Sequence, residues 1–362
     1  ITMEIVPAAY EFQMDGAPVA CEEFGHGHIN STYKITTDTG HEYVLQKINK
    51  YVFHNPVQLM ANANAVTSFI REREADPRAA IHFIPTRNDD GSVCHRDSDG
   101  EFWRMYDYVG GFCVDQPETD EDFYQSAVAF GRFQHLLADF PADTLYETIP
   151  NFHNTVDRYR QLEESIRQDL EHRVKRARQE IAFALDRKEK ACSLQRMRES
   201  GELPLRVTHN DTKLNNVLLD RNTRKALCVL DLDTVMPGLS AYDFGDSIRF
   251  GAATAAEDAK DPSTMKLDLH LFDVYTRGFL SSATALTDKE VAMLPLGAYI
   301  MTMECGIRFL KDFLDGDLYF KTAYRDHNLV RCRTQLALAA DMEIKWEDMQ
   351  RIVADVAHEL RG

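Results

Sequence analysis

The sequence predicts an α+β protein with two lobes, a small N-terminal lobe built on an antiparallel sheet and a larger, mainly helical C-terminal lobe. Three β-type runs lie early in the chain, at Ser31–Thr37, Tyr43–Asn49 and Phe102–Val109. The turn residues Asp38-Thr39-Gly40 separate the first two runs and predict a hairpin. Helical periodicity dominates after residue 109, and a length of 362 residues suits two domains better than one. We therefore expect one lobe over residues 1–108 and the other over residues 109–362.

Composition limits the classes of partner. The formal net charge is -17, which disfavours nucleic acid or an anionic membrane because both attract basic surfaces. A local basic pocket or a bound metal ion still allows a phosphate substrate. The first residues lack the basic and apolar regions of a signal peptide, and no uncharged apolar run has the length of a membrane span. Seven irregularly spaced cysteines predict free thiols in the cytoplasm rather than disulfides or a zinc cluster.

The stretch VTHNDTKLNNVLLD, Val207–Asp220, carries the most specific motif of the chain. His209, Asp211 and Asn216 have the spacing H-x-D-x-x-x-x-N, which in protein kinases is followed by a metal-binding aspartate. Asp231 ends the apolar run CVLD one short predicted hairpin later. Phosphoryl transfer needs a carboxylate that orients the attacking hydroxyl and oxygen ligands that hold Mg²⁺. We expect Asp211 to be the base and Asn216 and Asp231 to be metal ligands; the alternative is that they only cap a turn and end a strand.

A second aspartate motif, Asp243-Phe244-Gly245, spells the metal-binding motif of protein kinases literally. It lies beyond Pro237-Gly238, too far from the catalytic loop for a single hairpin, whereas Asp231 has the expected position. We therefore predict that Asp243 is no metal ligand and instead accepts hydrogen bonds from the catalytic-loop backbone.

The N-terminal lobe supplies candidate nucleotide contacts. Gly25 and Gly27 lie at the mouth of the first predicted hairpin, where glycine lets the backbone approach phosphate groups. Tyr106 and Tyr108, near the end of the third predicted strand, complete the expected ATP-binding set together with Gln46 or Lys47. Glycine-rich turns are common, so this one indicates a nucleotide site only because it precedes a strand pair.

The combined motif resembles the aminoglycoside phosphotransferase and choline kinase family, whose members have a bilobal, protein-kinase-like fold. The segments GHGHINSTY, VTHNDTKLNN, VLDLDTVMPG, YDFGDSIRFGA, TMECGIRFL and HNLVRCRTQ are similar to those of bacterial N-acetylhexosamine 1-kinases. The resemblance runs from about Phe24 to Gln335. It implies transfer of the γ-phosphoryl group of ATP, with Mg²⁺, to the anomeric hydroxyl of N-acetylglucosamine or N-acetylgalactosamine.

The resemblance also implies sugar contacts, from His28, Thr234, Arg249, Glu304, Arg308 and Tyr319. Charged groups and one aromatic face suit an uncharged sugar. Any of these residues could instead make an internal polar contact; Glu304 and Arg308 have the i, i+4 spacing of a helical ion pair.

One departure from the protein-kinase pattern concerns the strand lysine that pairs with a helix glutamate. In YVLQKIN, the alignment with V-A-I-K places Gln46 at the lysine position and Lys47 one residue later. Successive strand residues face opposite sides, so only one of the two can reach the phosphates. The predicted helix Val57–Arg73 offers Asn62 and Asn64, and its glutamate, Glu72, comes late, so the sequence identifies no ion pair like that of protein kinases. Which residue holds the phosphates stays open at this point.

Two further alternatives follow from the sequence. The charged segment Asn154–Ser200 fits a pair of solvated surface helices, a coiled-coil arm or a binding face, and we favour the first. For function, the alternatives are a kinase of another sugar, choline or an aminoglycoside, or a catalytically silent kinase fold that senses nucleotide. Arg249 and Arg308 weigh against a polycationic aminoglycoside. The intact set of Asp211, Asn216 and Asp231 weighs against a silent fold.

Overall fold

A computed structural model of the chain describes residues 3–25 and 31–362. The contacts divide it into two compact units. The first, here the sheet unit, comprises Ile1–Cys113, Asp139–Thr148 and Val217–Pro237. The second, here the helical unit, comprises Val114–Ala138, Ile149–Asn216 and Gly238–Gly362. The sheet unit thus takes in two later segments that a division by sequence position does not anticipate, and the boundary between residues 108 and 109 stays a prediction.

An antiparallel sheet with the order β1-β2-β3-β5-β4 forms the centre of the sheet unit. Its strands are β1 Pro18–Glu23, β2 Ser31–Thr37, β3 Glu42–Ile48, β4 His95–Arg96 and β5 Phe102–Asp107. The predicted hairpin is confirmed, because β2 and β3 pair from Ser31 opposite Lys47 to Thr36 opposite Glu42. The sequence analysis missed β1, which contains a proline and is mostly exposed, and β4, which has only two residues.

The two faces of the sheet bury different side chains. One face packs Leu45 and Met105 with Phe12, all three fully buried. The other face brings Thr32, Gln46 and Arg104 side by side across three strands. This alternation follows from the pleat of a strand.

Helix α1, Pro56–Arg73, belongs to the same unit and agrees with the predicted helix within one residue at its start. Its first turn is fixed by Pro56 and by Asn55, whose side chain accepts a hydrogen bond from the backbone of Gln58 at 3.1 Å.

A second hairpin in the sheet unit precedes Asp231. It consists of β7 Val217–Leu219 and β8 Ala226–Val229, and it confirms the predicted short hairpin. The Asp220 carboxylate accepts hydrogen bonds from the backbone of Asn222 and Thr223, at 2.8 and 3.0 Å, which is the turn chemistry expected of aspartate.

The helical unit contains strand β6 Arg206–Thr208 and helices α2 to α12. Their bounds are α2 Asp120–Leu136, α3 Thr155–Gln168, α4 Arg178–Asp186, α5 Lys188–Ala191, α6 Ser193–Ser200, α7 Ser240–Gly251, α8 Leu269–Ser282, α9 Asp288–Ala292, α10 Leu294–Asp315, α11 His327–Ile344 and α12 Trp346–Arg361. Strand β9, Met236–Gly238, lies just before α7. Helix α10 is buried around most of its circumference, which is typical of the central helix of a large core. None of the helices in the described residues is long and apolar enough to cross a membrane.

The charged segment after residue 154 folds into several short helices rather than two. Helix α3 ends at Asp169, which adopts a left-handed backbone with φ 42°. The Asp169 carboxylate then accepts a hydrogen bond from the backbone of Val174 at 3.1 Å. Tyr159 and Leu162 form part of a single buried stripe on α3, and the remaining positions are mostly charged and solvated. This pattern supports the surface-helix alternative over a coiled-coil arm.

Candidate active site

The predicted catalytic loop, residues 209–216, belongs to the helical unit and begins at His209, directly after β6. The His209 ring is fully buried, with the edges of Phe130 and Phe133 packed against it at centroid distances of 5.3 and 5.9 Å. Its Nδ1 accepts a hydrogen bond from the backbone N–H of Asp211 at 3.2 Å. Asn210 between them has a φ of 67°, a strained conformation for a non-glycine residue. The buried imidazole therefore fixes the backbone from which Asp211 projects.

Asp243, on α7, holds this loop from the other side. Its Oδ2 accepts from the His209 N–H at 2.8 Å, and its Oδ1 accepts from the Asn210 N–H at 2.9 Å. The Gln134 amide adds a third bond at 3.3 Å. Burial raises the pKa of Asp243, although the hydrogen bonds and the His209 ring oppose that change. The prediction that Asp243 holds the loop backbone is confirmed.

The rest of the Asp-Phe-Gly motif has a packing role. Phe244 is fully buried and meets Phe272, Tyr275 and Phe279 in edge-on contacts. Gly245 lies against the backbone of Gly297 on α10, so closely that a Cβ atom would overlap the carbonyl group of Gly297. Two glycines thus allow the two helices to touch through their backbones, which explains the motif without a metal ion.

Asp211 and Asn216 lie on the same loop, as predicted. The Asn216 side-chain amide donates to the Asp211 backbone carbonyl at 2.8 Å. The Asp211 carboxylate is 28% exposed, and Lys213 Nζ lies 3.8 Å from its Oδ1. A partly exposed carboxylate next to an ammonium group can accept a proton from a bound hydroxyl. Its role as a base remains a prediction.

A chain of hydroxyl groups supports the loop and was not anticipated. The Thr212 hydroxyl donates to the backbone carbonyl of Asp243 at 3.1 Å. Ser247 bonds to the Thr212 hydroxyl at 2.8 Å, and Tyr275 donates to Ser247 at 2.7 Å. All three side chains are buried, so the loop is anchored to α7 at Thr212, and Tyr275 on α8 supports that contact.

Asp231 lies in the sheet unit, just after β8. Asp231 is exposed, and its backbone is left-handed, with a φ of 56°. Such a backbone costs on the order of 1–3 kcal/mol in a non-glycine residue and persists only where the surroundings enforce it. Strain at a predicted metal ligand is consistent with a functional role, which remains a prediction.

The predicted nucleotide contacts lie in the sheet unit, apart from those outside the described residues. Gly27, and His28 from the predicted sugar contacts, lie outside the described residues. Gly25 has a φ of 82°, and among the described residues no atom outside its chain neighbours lies within 4 Å of a Cβ position there. Tyr106 packs edge-on against Phe83, and burial raises the pKa of its hydroxyl. Tyr108 contacts the Phe24 ring edge-on and carries Lys34 Nζ over its face at 4.3 Å.

Gln46 and Lys47 point to opposite faces of β3. The Gln46 amide accepts from Arg104 Nε at 2.8 Å and donates to the Thr32 hydroxyl at 3.2 Å. Lys47 Nζ lies 6.0 Å from the centre of the Trp103 ring. In the kinase alignment the lysine position is therefore occupied by an amide that is hydrogen-bonded to an arginine.

Several residues that are predicted to contact the sugar lie together in the helical unit, around Arg308 on α10. The half-buried Arg308 guanidinium is 5.3 Å from the Phe320 ring, 5.7 Å from the Tyr319 ring and 6.0 Å from the Phe152 ring. Within the described part of the chain it makes no hydrogen bond and no ion pair. Its N–H donors remain available to a ligand.

Glu304 does not pair with Arg308 in the way its helical spacing allowed. Its carboxylate is 2% exposed and bonds to His153 Nδ1 at 2.7 Å and to the Thr155 hydroxyl at 3.2 Å. Burial alone would raise the pKa of Glu304, but His153, Arg158 and Arg308 hold it below its usual value. Burial and the neighbouring Arg308 lower the pKa of Arg158. Two guanidinium groups thus share one carboxylate.

Asp312 positions the loop that carries Tyr319, a role the sequence analysis did not identify. It is 4% exposed and accepts hydrogen bonds from the backbone N–H groups of Leu318, Tyr319 and Phe320, at 2.8 to 3.0 Å. The Tyr319 ring is left 75% exposed beside Arg308. No spacing in the sequence signals this role, because the backbone N–H groups that Asp312 binds lie six to eight residues further along the chain.

The two other predicted sugar contacts are placed differently. Arg249 on α7 bonds to Asp246 at 2.9 Å, to Glu257 at 2.7 Å and to Gln335 at 3.2 Å. The Arg249 guanidinium holds the pKa of Asp246 below its usual value despite burial. Thr234 belongs to the sheet unit and is half-buried. Both stay predictions as sugar contacts.

The model of the phosphotransferase enzyme family, APH, matches residues 20–264. The chain is similar to a microcompartment-associated aminopropanol kinase, with a TM-score of 0.62 and 17% identity over 95% of this chain and 97% of that chain. It is also similar to an aminoglycoside phosphotransferase from Alicyclobacillus acidocaldarius subsp. acidocaldarius, with a TM-score of 0.58 and 13% identity over 99% of this chain and 97% of that chain.

A third similar structure is the amicoumacin kinase hAmiN in complex with AMP-PNP, Ca²⁺ and Ami, with a TM-score of 0.57 and 14% identity over 91% of each chain. Identities this low establish the fold alone, and they confirm the predicted kinase-like α+β fold. The family model spans well over half of the chain. The protein therefore belongs to the APH phosphotransferase enzyme family.

Proposed function

We propose that the protein is an ATP-dependent N-acetylhexosamine 1-kinase, which phosphorylates the anomeric hydroxyl of N-acetylglucosamine or N-acetylgalactosamine. The surroundings of Arg308 are the observation that supports this class of acceptor. The Arg308 guanidinium is half-buried among three aromatic rings, and within the described part of the chain it forms no ion pair with a carboxylate. The segments that resemble sugar 1-kinases supply the choice of sugar within that class.

The charge around Arg308 favours an uncharged, oxygen-rich acceptor. Glu304 is already hydrogen-bonded to His153 and Thr155, so its carboxylate oxygens are engaged. Arg158 adds a second positive charge close to Arg308. This excess of positive charge would repel a polycationic aminoglycoside or the ammonium group of choline. The hydroxyl and acetamido oxygens of a sugar can instead accept hydrogen bonds from the guanidinium. The exposed Tyr319 ring offers an apolar face to a sugar ring.

Asp211 carries the chemical step in this proposal. Its carboxylate orients the anomeric hydroxyl and accepts its proton. The sugar oxygen forms a bond to the γ-phosphorus while the bond from that phosphorus to the β–γ bridging oxygen breaks. ADP leaves with the bonding electron pair, and the product is a sugar 1-phosphate. His209 and Asp243 contribute by fixing the loop backbone, so that Asp211 needs little reorganisation during the reaction.

The donor chemistry of two residues fits Mg²⁺. Asn216 uses its amide N–H to bond the Asp211 carbonyl, which leaves its side-chain oxygen as a possible ligand. Asp231 offers an exposed carboxylate on a strained backbone. Mg²⁺ is usually held by one or two protein oxygens together with substrate phosphates. When bound, the ion would neutralise negative charge on the phosphates. In the described residues there is no group of three or more His, Cys, Asp or Glu side chains that could hold a metal ion.

An ADP-release assay with ATP, Mg²⁺ and a panel of acceptors tests the proposal. The panel contains N-acetylglucosamine, N-acetylgalactosamine, glucose, galactose, choline, kanamycin and no acceptor. We expect turnover with the acetylated sugars and a product that no longer reacts as a reducing sugar. Turnover with another acceptor would refute the sugar assignment but keep the phosphotransferase chemistry.

The Asp211→Asn variant tests the base. We expect kcat to fall by about 10²- to 10⁴-fold, the usual contribution of a general base, with little change in stability because the carboxylate is partly exposed. Asp186→Asn, on the exposed side of α4, is the matched control and should retain the wild-type rate. A wild-type rate in Asp211→Asn would exclude Asp211 as the base.

A further inference from the structure

The sheet unit contains a buried arginine, Arg104, next to the position where the kinase pattern expects a lysine. Gln46 and Arg104 are register partners on β3 and β5, and their side chains lie on the same face of the sheet. Lys47, which also fits the sequence pattern, pairs with Trp103 on the opposite face. Lys34 lies on the same face as Gln46 but pairs with Glu42 at 2.6 Å, whereas the cation bonded to Gln46 is Arg104, which no sequence motif marks.

The orientation of Arg104 is fixed at both ends of its guanidinium group. Its Nε donates to Gln46 Oε1 at 2.8 Å, and the Gln46 amide is itself held by the Thr32 hydroxyl. Its two terminal nitrogens form a bidentate pair with the Asp233 carboxylate, with Nη2 at 3.1 Å from Oδ2. Arg104 is 5% exposed and Asp233 is 3% exposed, so the pair is buried. Bidentate arginine–carboxylate pairs are strong and geometrically specific.

A second anchor reaches the same segment from helix α1. The Asn62 side chain is 2% exposed and donates to the backbone carbonyl of Val235 at 3.2 Å. It also donates to the Tyr146 carbonyl at 2.8 Å and accepts from the Tyr146 N–H at 2.9 Å. These reciprocal bonds lock the amide in place. The segment that starts at Asp231 is thus held at Asp233 by a strand and at Val235 by a helix.

These anchors explain how Asp231 keeps its left-handed backbone. A φ of 56° is disfavoured for a residue with a side chain, so the chain on at least one side must enforce it. Asp233 and Val235 follow within four residues, and both are fixed by buried groups. Asp231 itself remains exposed.

We propose that Arg104 is a positioning residue for nucleotide-bound Mg²⁺. Together with Gln46 and Asn62, it holds residues 231–235 so that the Asp231 carboxylate is presented in one orientation. It takes over the organising role that a strand lysine and a helix glutamate share in protein kinases. The inference rests on the phosphotransferase function of this site and is independent of which acceptor the enzyme uses.

The test measures binding of ADP by calorimetry, with and without Mg²⁺, in the absence of an acceptor. For Arg104→Gln we expect the dissociation constant of ADP with Mg²⁺ to rise by about 10- to 100-fold, as for residues that orient a metal ligand. The dissociation constant of ADP alone should stay unchanged. Amide hydrogen exchange of residues 231–235, measured without nucleotide, should become faster. Arg104→Lys keeps the charge but not the bidentate pair, so it should restore the affinity only in part.

Arg78→Gln is the matched control. Arg78 pairs with Asp220 at 3.1 Å, at the turn of the same β7–β8 hairpin but away from Asp231. This variant should bind ADP with Mg²⁺ like the wild type and leave exchange of residues 231–235 unchanged. If Arg104→Gln fails to fold, Gln46→Met removes the Nε bond while the ion pair remains, and should show the same Mg²⁺-specific weakening to a smaller degree.

Three outcomes would overturn the inference. The first is a folded Arg104→Gln variant that is less stable but binds ADP with Mg²⁺ as tightly as the wild type. The second is an equal loss of affinity with and without Mg²⁺, which would make Arg104 a general structural residue. The third, used if Arg104→Gln does not fold, is wild-type Mg²⁺-dependent binding in Gln46→Met. A wild-type protein that binds no ADP in either condition would instead refute the nucleotide-dependent function itself.

Discussion

Replacing Asp243 with asparagine separates loop support from metal binding. The amide keeps one oxygen for one of the two backbone N–H groups, His209 or Asn210, and turns its NH₂ group toward the other. A buried donor left unpaired costs about 1–3 kcal/mol. The neutral amide also relieves the burial cost that raises the pKa of Asp243, so the net loss of unfolding free energy should lie near the lower end of that range.

The same substitution should reduce the rate more than the stability suggests. Asp211 follows Asn210 directly, so a shift of the loop by about 1 Å displaces the base and costs about 100-fold in kcat. The assays are ADP release for kcat and urea unfolding for stability.

Asp341→Asn is the control for the Asp243 variant. Asp341 is also buried and accepts a backbone hydrogen bond, from Leu267 at 2.7 Å, but it lies on α11 and does not touch the catalytic loop. It should lose stability and keep its kcat. A wild-type kcat in Asp243→Asn would refute the argument that Asp243 positions the catalytic loop.

Three other predictions concern the helical unit. Arg308→Ala should raise the KM of the sugar by about tenfold, the loss of roughly one charged hydrogen bond, and leave the KM of ATP unchanged in steady-state assays. Glu304 has a lowered pKa, so its stabilising effect is present above its unfolded pKa and is lost as the pH falls through its folded pKa. Urea unfolding of Glu304→Gln between neutral and acidic pH should therefore depend less steeply on pH than that of the wild type. Gly245→Ala would force a Cβ atom into the Gly297 backbone and should lower the unfolding free energy by about 1–3 kcal/mol in urea unfolding. A wild-type KM for the sugar in Arg308→Ala would contradict the first argument. A wild-type pH dependence of the unfolding free energy in Glu304→Gln would contradict the second, and wild-type stability in Gly245→Ala the third.

Local chemistry made much of the catalytic loop and of the sheet predictable. Asp211 and Asn216 are close in sequence, so the spacing alone placed them on one loop. The turns at Asp38-Thr39-Gly40 and Asp220 could be predicted because aspartate and glycine favour turn conformations over a few residues. Periodicity likewise located α1 within one residue of its ends.

Only the tertiary structure decided which distant groups meet. Gln46 and Arg104 are 58 residues apart, and their contact depends on the pairing of β3 with β5. The Glu304 partner, His153, is 151 residues away, although Arg308 was available on the same helix. Spacing along one element shows which side chains can share a face. The packing of the elements decides which neighbour pairs with a buried charge. An unpaired buried charge is costly, so it pairs with the complementary group that packing brings nearest.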